Sequence, residues 1–133
     1  MKRITTISIL IITIALTAFS TTPKLNTYKK INWQKAEKNY LFALTSENVG
    51  VRQSATNFIA EYQLTGALQP LIDVLQTDKV EQLRMAAAVA LVQLGLERGI
   101  DAVKDAAIYD GSEKVAKFCE RLVNTNSEKL SLR

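Results

Sequence analysis

Apolar and small residues recur every three or four positions along most of this chain, and the whole pattern repeats at an offset of 32 residues. Each of three successive stretches begins at a polar residue, namely Ser46, Asp78 or Asp110. Four sets of side chains then fall in register: Val51, Leu83 and Val115; Ala55, Ala87 and Cys119; Phe58, Ala90 and Leu122; Ile59, Leu91 and Val123. This spacing is typical of amphipathic helices. Self-similarity at such a period indicates stacked helical units that hold another molecule.

The pattern predicts six helices between residues 32 and 124. Four of them are expected at about 32–44, 49–63, 80–94 and 112–124, and two shorter ones around 68–75 and 100–107. The second helix is expected to turn five side chains inward: Val51, Ala55, Phe58, Ile59 and Tyr62. No period-2 alternation occurs here, so the predicted fold class is all-α, a short α-solenoid of about three stacked helix pairs.

Two helix starts and one helix end carry further signals. Asp78 with Glu81, and Asp110 with Glu113, have the spacing of a capping box, in which each acid satisfies free N–H groups. Residues 125–133 are polar and are expected to form a frayed tail.

The segment from Asp78 to Leu91 resembles the first helix of a HEAT repeat, where an acidic turn leads to an aliphatic–Arg pair and an Ala-rich helix. Residues 66–75 resemble the second helix. Leu83-Arg84 fits the aliphatic–Arg pair, as does Val51-Arg52, whereas Val115 is followed by Ala116 with Lys117 one place late. The short unit is similar to bacterial HEAT repeats such as those of phycobilin lyases. The resemblance covers about 32–124 and implies a solenoid that binds proteins.

The start of the chain has the layout of a secretory signal peptide. Lys2 and Arg3 precede a stretch without charge from Ile4 to Pro23, and Ala18-Phe19-Ser20 suits a signal peptidase. Residues 1–20 are therefore predicted to be a cleaved signal peptide, which makes the protein secreted or periplasmic. The alternative is an uncleaved anchor in the inner membrane formed by residues 4–19, although a spanning helix needs about 20 apolar residues.

The charge is distributed unevenly over the remaining chain. Residues 21–39 carry five lysines and one glutamate, whereas residues 40–133 carry ten basic and twelve acidic residues. The folded part thus lacks the basic stripe of a nucleic-acid binder, and no nucleic-acid partner is predicted. Residues 21–31 are interpreted as a lysine-rich connector, and membrane contact is expected only through residues 1–30.

The composition argues against catalysis. The chain has no His and one Cys, which excludes Ser–His and Cys–His catalysis and metal sites built on these ligands. No Gly-rich phosphate loop occurs, and the carboxylates of Asp101 and Asp105 are interpreted as a solvated helix face. No enzyme activity, cofactor or metal is predicted. Cys119, in the slot of Ala55 and Ala87, is expected to be a small buried residue, with a reactive thiol or an intermolecular disulfide bridge as the alternative.

The candidate partner-binding residues lie on the second helix of each unit, which lines the concave side of such stacks. They are Gln69, Asp73 and Gln76 on one helix and Asp101, Lys104, Asp105 and Tyr109 on the next. The patch is mildly acidic, so a basic or polar protein segment is the expected partner. The leading hypothesis is an exported, non-catalytic protein-interaction adaptor. The alternatives are a membrane-tethered structural or accessory subunit of an envelope complex and, more distantly, a lyase-like enzyme.

Overall fold

The computed structural model describes residues 32–131, which contain six α-helices and no strand. The helices are α1 (Trp33–Ala43), α2 (Val49–Glu61), α3 (Leu68–Thr77), α4 (Glu81–Leu94), α5 (Glu97–Tyr109) and α6 (Glu113–Ser131), and a 3-10 turn, Thr65–Ala67, precedes α3. The predicted short all-α solenoid is confirmed. The predicted signal peptide (1–20) and connector (21–31) lie outside the described residues.

The helices form three pairs, each joined by a short turn and packed side by side. We call α1 and α2 the first hairpin, α3 and α4 the middle hairpin, and α5 and α6 the last hairpin. Their turns hold the repeat-equivalent residues Ser46, Asp78 and Asp110. Between hairpins, α2 packs on α4 and α4 on α6, while α3 packs on α5. The 32-residue period of the sequence is thus the period of hairpin stacking.

The centre of the core lies in the middle hairpin. Leu71 and Leu75 of α3 and Leu83 and Leu91 of α4 have no solvent exposure. Ala87 is equally buried, because a methyl group at this slot lets the helices approach closely. Cys119 occupies the equivalent slot of α6 and is also fully buried, which confirms the burial predicted for it.

The expectation for the inward face of α2 is wrong in part. Ala55 and Ile59 are buried, but Val51, Phe58 and Tyr62 remain 42%, 39% and 40% exposed. The helix also buries two residues that the pattern did not single out, Thr56 and Ala60. The reason is geometric: among the helices of residues 32–131, α2 packs on α1 and α4 only, whereas α4 packs on α2, α3, α5 and α6.

The capping-box prediction is also wrong. Helix α4 begins at Glu81, so Asp78 lies too far back to cap it and instead accepts a hydrogen bond from the Val80 N–H at 2.9 Å. Asp110 accepts from the Ser112 N–H in the same way at 2.8 Å. The Glu81 carboxylate accepts from the Ser112 hydroxyl at 2.6 Å, which ties α4 to the start of α6. The two aspartates therefore shape turns between helices.

The last helix is longer than expected. It continues to Ser131, so the predicted helix end near Asn124 and the frayed tail after it are wrong for residues 125–131. No Gly or Pro follows Gly111 in the sequence, so no residue there imposes a helix end. Of the helices in residues 32–131, none is both long and apolar enough for a membrane span.

Candidate docking surface on α3 and α5

All seven predicted partner-binding residues lie on the solvent side of two neighbouring helices, α3 and α5. We call them together the docking surface: Gln69, Asp73, Gln76, Asp101, Lys104, Asp105 and Tyr109, every one of them exposed. Because α3 packs on α5, the two sets share one side of the molecule. A hydrogen bond from the Arg98 guanidinium of α5 to the Gln69 side-chain oxygen links them.

Two internal hydrogen bonds order part of this surface. The Gln69 amide donates to the Asp73 carboxylate at 2.8 Å, and the Lys104 ammonium donates to the Asp101 carboxylate at 2.8 Å. The hydrogen bond to Asp101, helped by the surrounding carboxylate charges, raises the pKa of Lys104. Asp105 receives no hydrogen bond from another described side chain, so its charge is open to a partner.

A groove of about 420 Å³, the α3–α5 groove, runs between the C-terminal parts of these helices. Its lining residues are Leu75, Gln76, Arg84, Ala102, Asp105, Ala106, Tyr109, Asp110 and Gly111. Three members of the docking surface therefore come together here, namely Gln76, Asp105 and Tyr109. The Tyr109 ring, 78% exposed, forms a wall beside an apolar floor. The other four members do not line this groove.

The same groove occurs one repeat earlier with a smaller volume. A space of about 320 Å³ lies between the end of α1 and α3 and is lined by Leu44, Thr45, Pro70, Asp73, Val74, Thr77 and Asp78. Asp73 and Asp105 are 32 residues apart and so hold equivalent places in the two grooves. Thr77 stands where the later groove has Tyr109. The surface therefore offers two shallow grooves in repeat register, each with an outward aspartate, and only the later one has an aromatic wall.

A fixed ion pair forms the base of the α3–α5 groove. The Arg84 Nε and Nη2 groups each donate to a different oxygen of Asp110 at 2.9 Å, and Nη1 donates to the Asp78 backbone carbonyl at 2.9 Å. Burial alone would raise the pKa of Asp110, but the Arg84 hydrogen bond and the Ser112 N–H outweigh it and hold that pKa below its ordinary value. The hydrogen bond with Asp110 in turn raises the pKa of Arg84.

The same arrangement joins the first two turns. Arg52 Nε and Nη2 donate to Asp78 at 2.8 and 3.2 Å, and Nη1 donates to the Ser46 carbonyl at 2.8 Å. Each arginine thus binds the turn of its own hairpin and the aspartate of the next. We call Arg52–Asp78 and Arg84–Asp110 the two Arg–Asp pairs. The series stops at Ala116, and Lys117 forms an exposed pair with Glu113 on its own helix at 2.6 Å.

Sequence reasoning did not assign to the candidate site Arg84 and Asp110, the ion pair at the base of the α3–α5 groove. A signal for them was present, because an arginine precedes an aspartate by 26 residues twice, at Arg52–Asp78 and at Arg84–Asp110. The apolar floor residues Ala102 and Ala106 gave no signal of their own, because they face a groove only after α3 and α5 pack.

The chemistry of the described residues suits binding. Burial, reinforced by the charge of Asp110, raises the pKa of the Cys119 thiol to about 11, so it is protonated at neutral pH and closed to reagents. No group of three or more His, Cys, Asp and Glu side chains among residues 32–131 is placed to hold a metal ion. The groove offers an aromatic wall, an apolar floor and an open carboxylate, which together can receive a polar or basic side chain.

A comparison with protein families matches residues 38–122 to the HEAT repeat model. This match covers all three hairpins, from the middle of α1 into α6. No curated protein and no solved structure shows a significant match to the chain.

Proposed function

The chain belongs to the HEAT repeat family, and from that premise we propose that it is a non-catalytic adaptor, exported across the cytoplasmic membrane, that binds a basic or polar segment of another protein on its docking surface. HEAT repeats generally mediate protein–protein interaction and are typically non-catalytic. The single observation that carries the proposal is the α3–α5 groove, which combines an exposed aromatic ring with the unengaged carboxylate of Asp105.

The groove favours a partner that brings positive charge on a flexible stem. Asp105 supplies the opposite charge, and the Tyr109 ring can contact the aliphatic part or the cation of a Lys or Arg side chain. Arg84 does not oppose such a partner, because Asp110 already neutralises it. Asp73 repeats the charge in the neighbouring groove, so a segment lying across α3 and α5 would meet two carboxylates in succession.

Export rests on the N-terminal sequence, where two basic residues, an uncharged stretch and a small-residue cleavage motif follow one another. Fractionation of the producing cells tests it. A chain without residues 1–20 in the soluble envelope fraction supports export with cleavage. Recovery of the chain from the cytoplasm would contradict it.

Crosslinking of the tagged protein in its native envelope, followed by mass spectrometry, tests the adaptor function. We expect one dominant protein partner, whose capture falls at least about tenfold with Asp105→Asn or Tyr109→Ala and falls as salt is raised. Glu128→Gln and Phe42→Ala are the matched controls, since each makes the same kind of change at an exposed site away from the groove. Capture that is equal for all four variants would refute this site.

The uncharged stretch at residues 4–19 favours one second candidate, a membrane-tethered accessory subunit of an envelope complex. In that case fractionation returns the full-length chain with the inner membrane. The similarity of the short repeats to those of phycobilin lyases suggests a lyase-like enzyme only distantly, because the groove contains no His and no free thiol. Loss of an activity in a folded Asp101→Asn or Asp105→Asn variant would bring that candidate back.

A further inference from the structure

The outer face of the first hairpin carries a cluster of partly exposed aromatic side chains that the proposed function does not use. Trp33 and Tyr40 of α1 meet Tyr62 and Phe58 of α2, with ring centroids 5.1 Å apart for Trp33–Tyr62 and 5.4 Å for Tyr40–Phe58. Phe58 and Tyr62 stack at 5.9 Å. We call these four aromatic residues and Val51 the end face. Two of these ring pairs are stacked and Trp33–Tyr62 is tilted, and together they form an ordered apolar surface.

The repeat shows that this face corresponds to one that is covered elsewhere in the molecule. Ala90 of α4 holds the slot of Phe58, is 1% exposed and lies against α2, with which it shares a groove lined by Thr56 and Ala60. Phe58 therefore lies on the side of α2 where a preceding helix would pack. Ala90 is buried because α2 packs over it. No helix in residues 32–131 packs over the equivalent position, Phe58, in the first hairpin.

The opposite end of the stack is built differently. The slots that hold Thr56 on α2 and Ala88 on α4, both fully buried, hold the exposed Glu120 on α6. The next slot along changes from the buried Ala60 to the exposed Asn124. Terminal units of helical stacks need such polar outer faces to stay in solution. The last hairpin thus has a polar cap, and none of residues 32–131 forms such a cap on the end face.

Polar residues of the last hairpin disfavour head-to-tail stacking, in which the last hairpin of one copy would pack on the end face of another. It would bury the Glu120 carboxylate against the end face without a partner, which costs several kcal/mol. It would also bring Ala116 opposite Ser46, so that no third Arg–Asp pair could form. A contact between two copies that uses the end face must therefore be head to head.

The end face has the charge pattern that a head-to-head contact requires. A groove of about 340 Å³ on this face is lined by eight uncharged residues: Tyr40, Ala43, Asn48, Gly50, Val51, Ser54, Ala55 and Phe58. In a two-fold contact the same patch is used on both copies, and a charge near the axis would face its own like, so an uncharged centre such as this one suits self-association. From this neutral aromatic face and the polar far end we propose that the protein is a two-fold dimer in which the end faces of two copies pack on each other.

The dimer is a property separate from the proposed adaptor function, and it would double the number of binding grooves. The docking surface on α3 and α5 stays outside the contact, so the dimer carries two copies of the α3–α5 groove. A partner with two suitable segments would then bind both grooves with an avidity above that of either one.

Sedimentation velocity of the full chain, as recovered from its cells, tests the dimer. We expect twice the mass of one chain for the wild type, and a dissociation constant raised about 100-fold by Phe58→Glu, which would bury two like charges. Phe58→Ala should raise it about tenfold. Phe42→Ala is the matched control, because Phe42 is 81% exposed and nine residues from Trp33 on α1, hence on the opposite side of that helix. Circular dichroism melting checks that each variant folds.

Two differently tagged full-length copies, expressed together, give a second readout. Mutual capture that survives Phe42→Ala and is lost with Phe58→Glu supports the dimer. A wild-type chain that sediments as a monomer would overturn it, and so would a dimer that Phe58→Glu leaves intact or a different protein bound to this face. The assay contains no partner, so its failure leaves the adaptor proposal standing.

Discussion

The first and middle hairpins carry the same repeat but bury different parts of it. In α4 the slots held by Leu83, Ala90 and Leu94 are at most 7% exposed, whereas in α2 the same slots hold side chains that are about two-fifths exposed. The sequence pattern is equally apolar in both. The difference teaches that a repeat pattern identifies which face of a helix is apolar, whereas burial depends on how many neighbours the helix has.

The last hairpin extends this comparison. Its helix α6 keeps the apolar slots that face inward, Val115 and Cys119, but carries Glu120 and Asn124 where α2 and α4 carry small or apolar residues. One end of the stack is therefore polar by sequence, and the other is aromatic. Four experiments test this contrast between interior and end positions.

Truncation at the same slot in two hairpins should give the largest contrast. Leu83→Ala removes a fully buried side chain from the middle hairpin and should lower the free energy of unfolding by about 4 kcal/mol. Val51→Ala, at the equivalent slot of the first hairpin, should cost less than about 1 kcal/mol in the monomer, since that side chain is already half in water. Urea denaturation at low protein concentration measures both. Equal losses would show that α2 is covered in solution.

The next largest effect concerns the Arg–Asp pairs. Arg84→Ala leaves the Asp110 carboxylate, 6% exposed, without its counter-charge and should cost about 3 kcal/mol. Lys117→Ala breaks the exposed pair with Glu113 on the last hairpin and should cost at most about 0.5 kcal/mol. Thermal and urea unfolding of the two variants measures both losses in the free energy of unfolding. A small loss for Arg84→Ala would mean that the pair contributes little to stacking.

An exchange of residues between equivalent slots sharpens the comparison further. Ala90→Phe places in the middle hairpin the residue that α2 carries at Phe58, at a slot where the Ala90 side chain is 1% exposed and packed against α2. Overpacking of this kind should cost about 2 kcal/mol. A melting temperature equal to that of the wild type would show that the register between α2 and α4 is different from the one described.

The smallest expected effect is a dependence on pH. Because Arg84 and the Ser112 N–H hold the pKa of Asp110 below its ordinary value of 3.8, its carboxylate stabilises the fold fully above that value. This contribution is lost as pH falls through the lowered folded-state pKa. Stability measured by urea at pH 7 and pH 3 should therefore drop more in the wild type than in Asp110→Asn. Asp73→Asn, at an exposed site, is the control and should drop like the wild type.

The sequence pattern predicted much of the core correctly. Leu83, Ala87 and Leu91 were assigned to the core and are buried, because α4 has neighbours on both sides. Val51 and Phe58 are predicted on the same face and remain exposed, because no local signal reports that none of the helices in residues 32–131 packs on that side of α2. The position of Asp78 failed as a cap for a similar reason. Its carboxylate is engaged by Arg52, a residue 26 positions away, which spacing within one helix cannot indicate.

Of the candidate site, the exposure of its seven residues was predictable from the sequence, and their role in binding stays a prediction. Subtraction of apolar positions gave seven exposed residues on α3 and α5, and all seven are exposed. It could not show that Gln76, Asp105 and Tyr109 line one groove while Asp101 is occupied by Lys104. That distinction depends on side-chain hydrogen bonds and on the packing of α3 against α5.

The amino-acid sequence by itself determined the helices, their 32-residue period and their all-α stacking, because periodic apolar side chains can be buried only against further copies of the same unit. Tertiary structure alone decided three things: the two Arg–Asp pairs that join the turns, the grooves between neighbouring helices, and the aromatic end face that no helix in residues 32–131 covers. Each of these arises where residues far apart in the chain meet, and the distance between such residues is a property of packing rather than of local pattern.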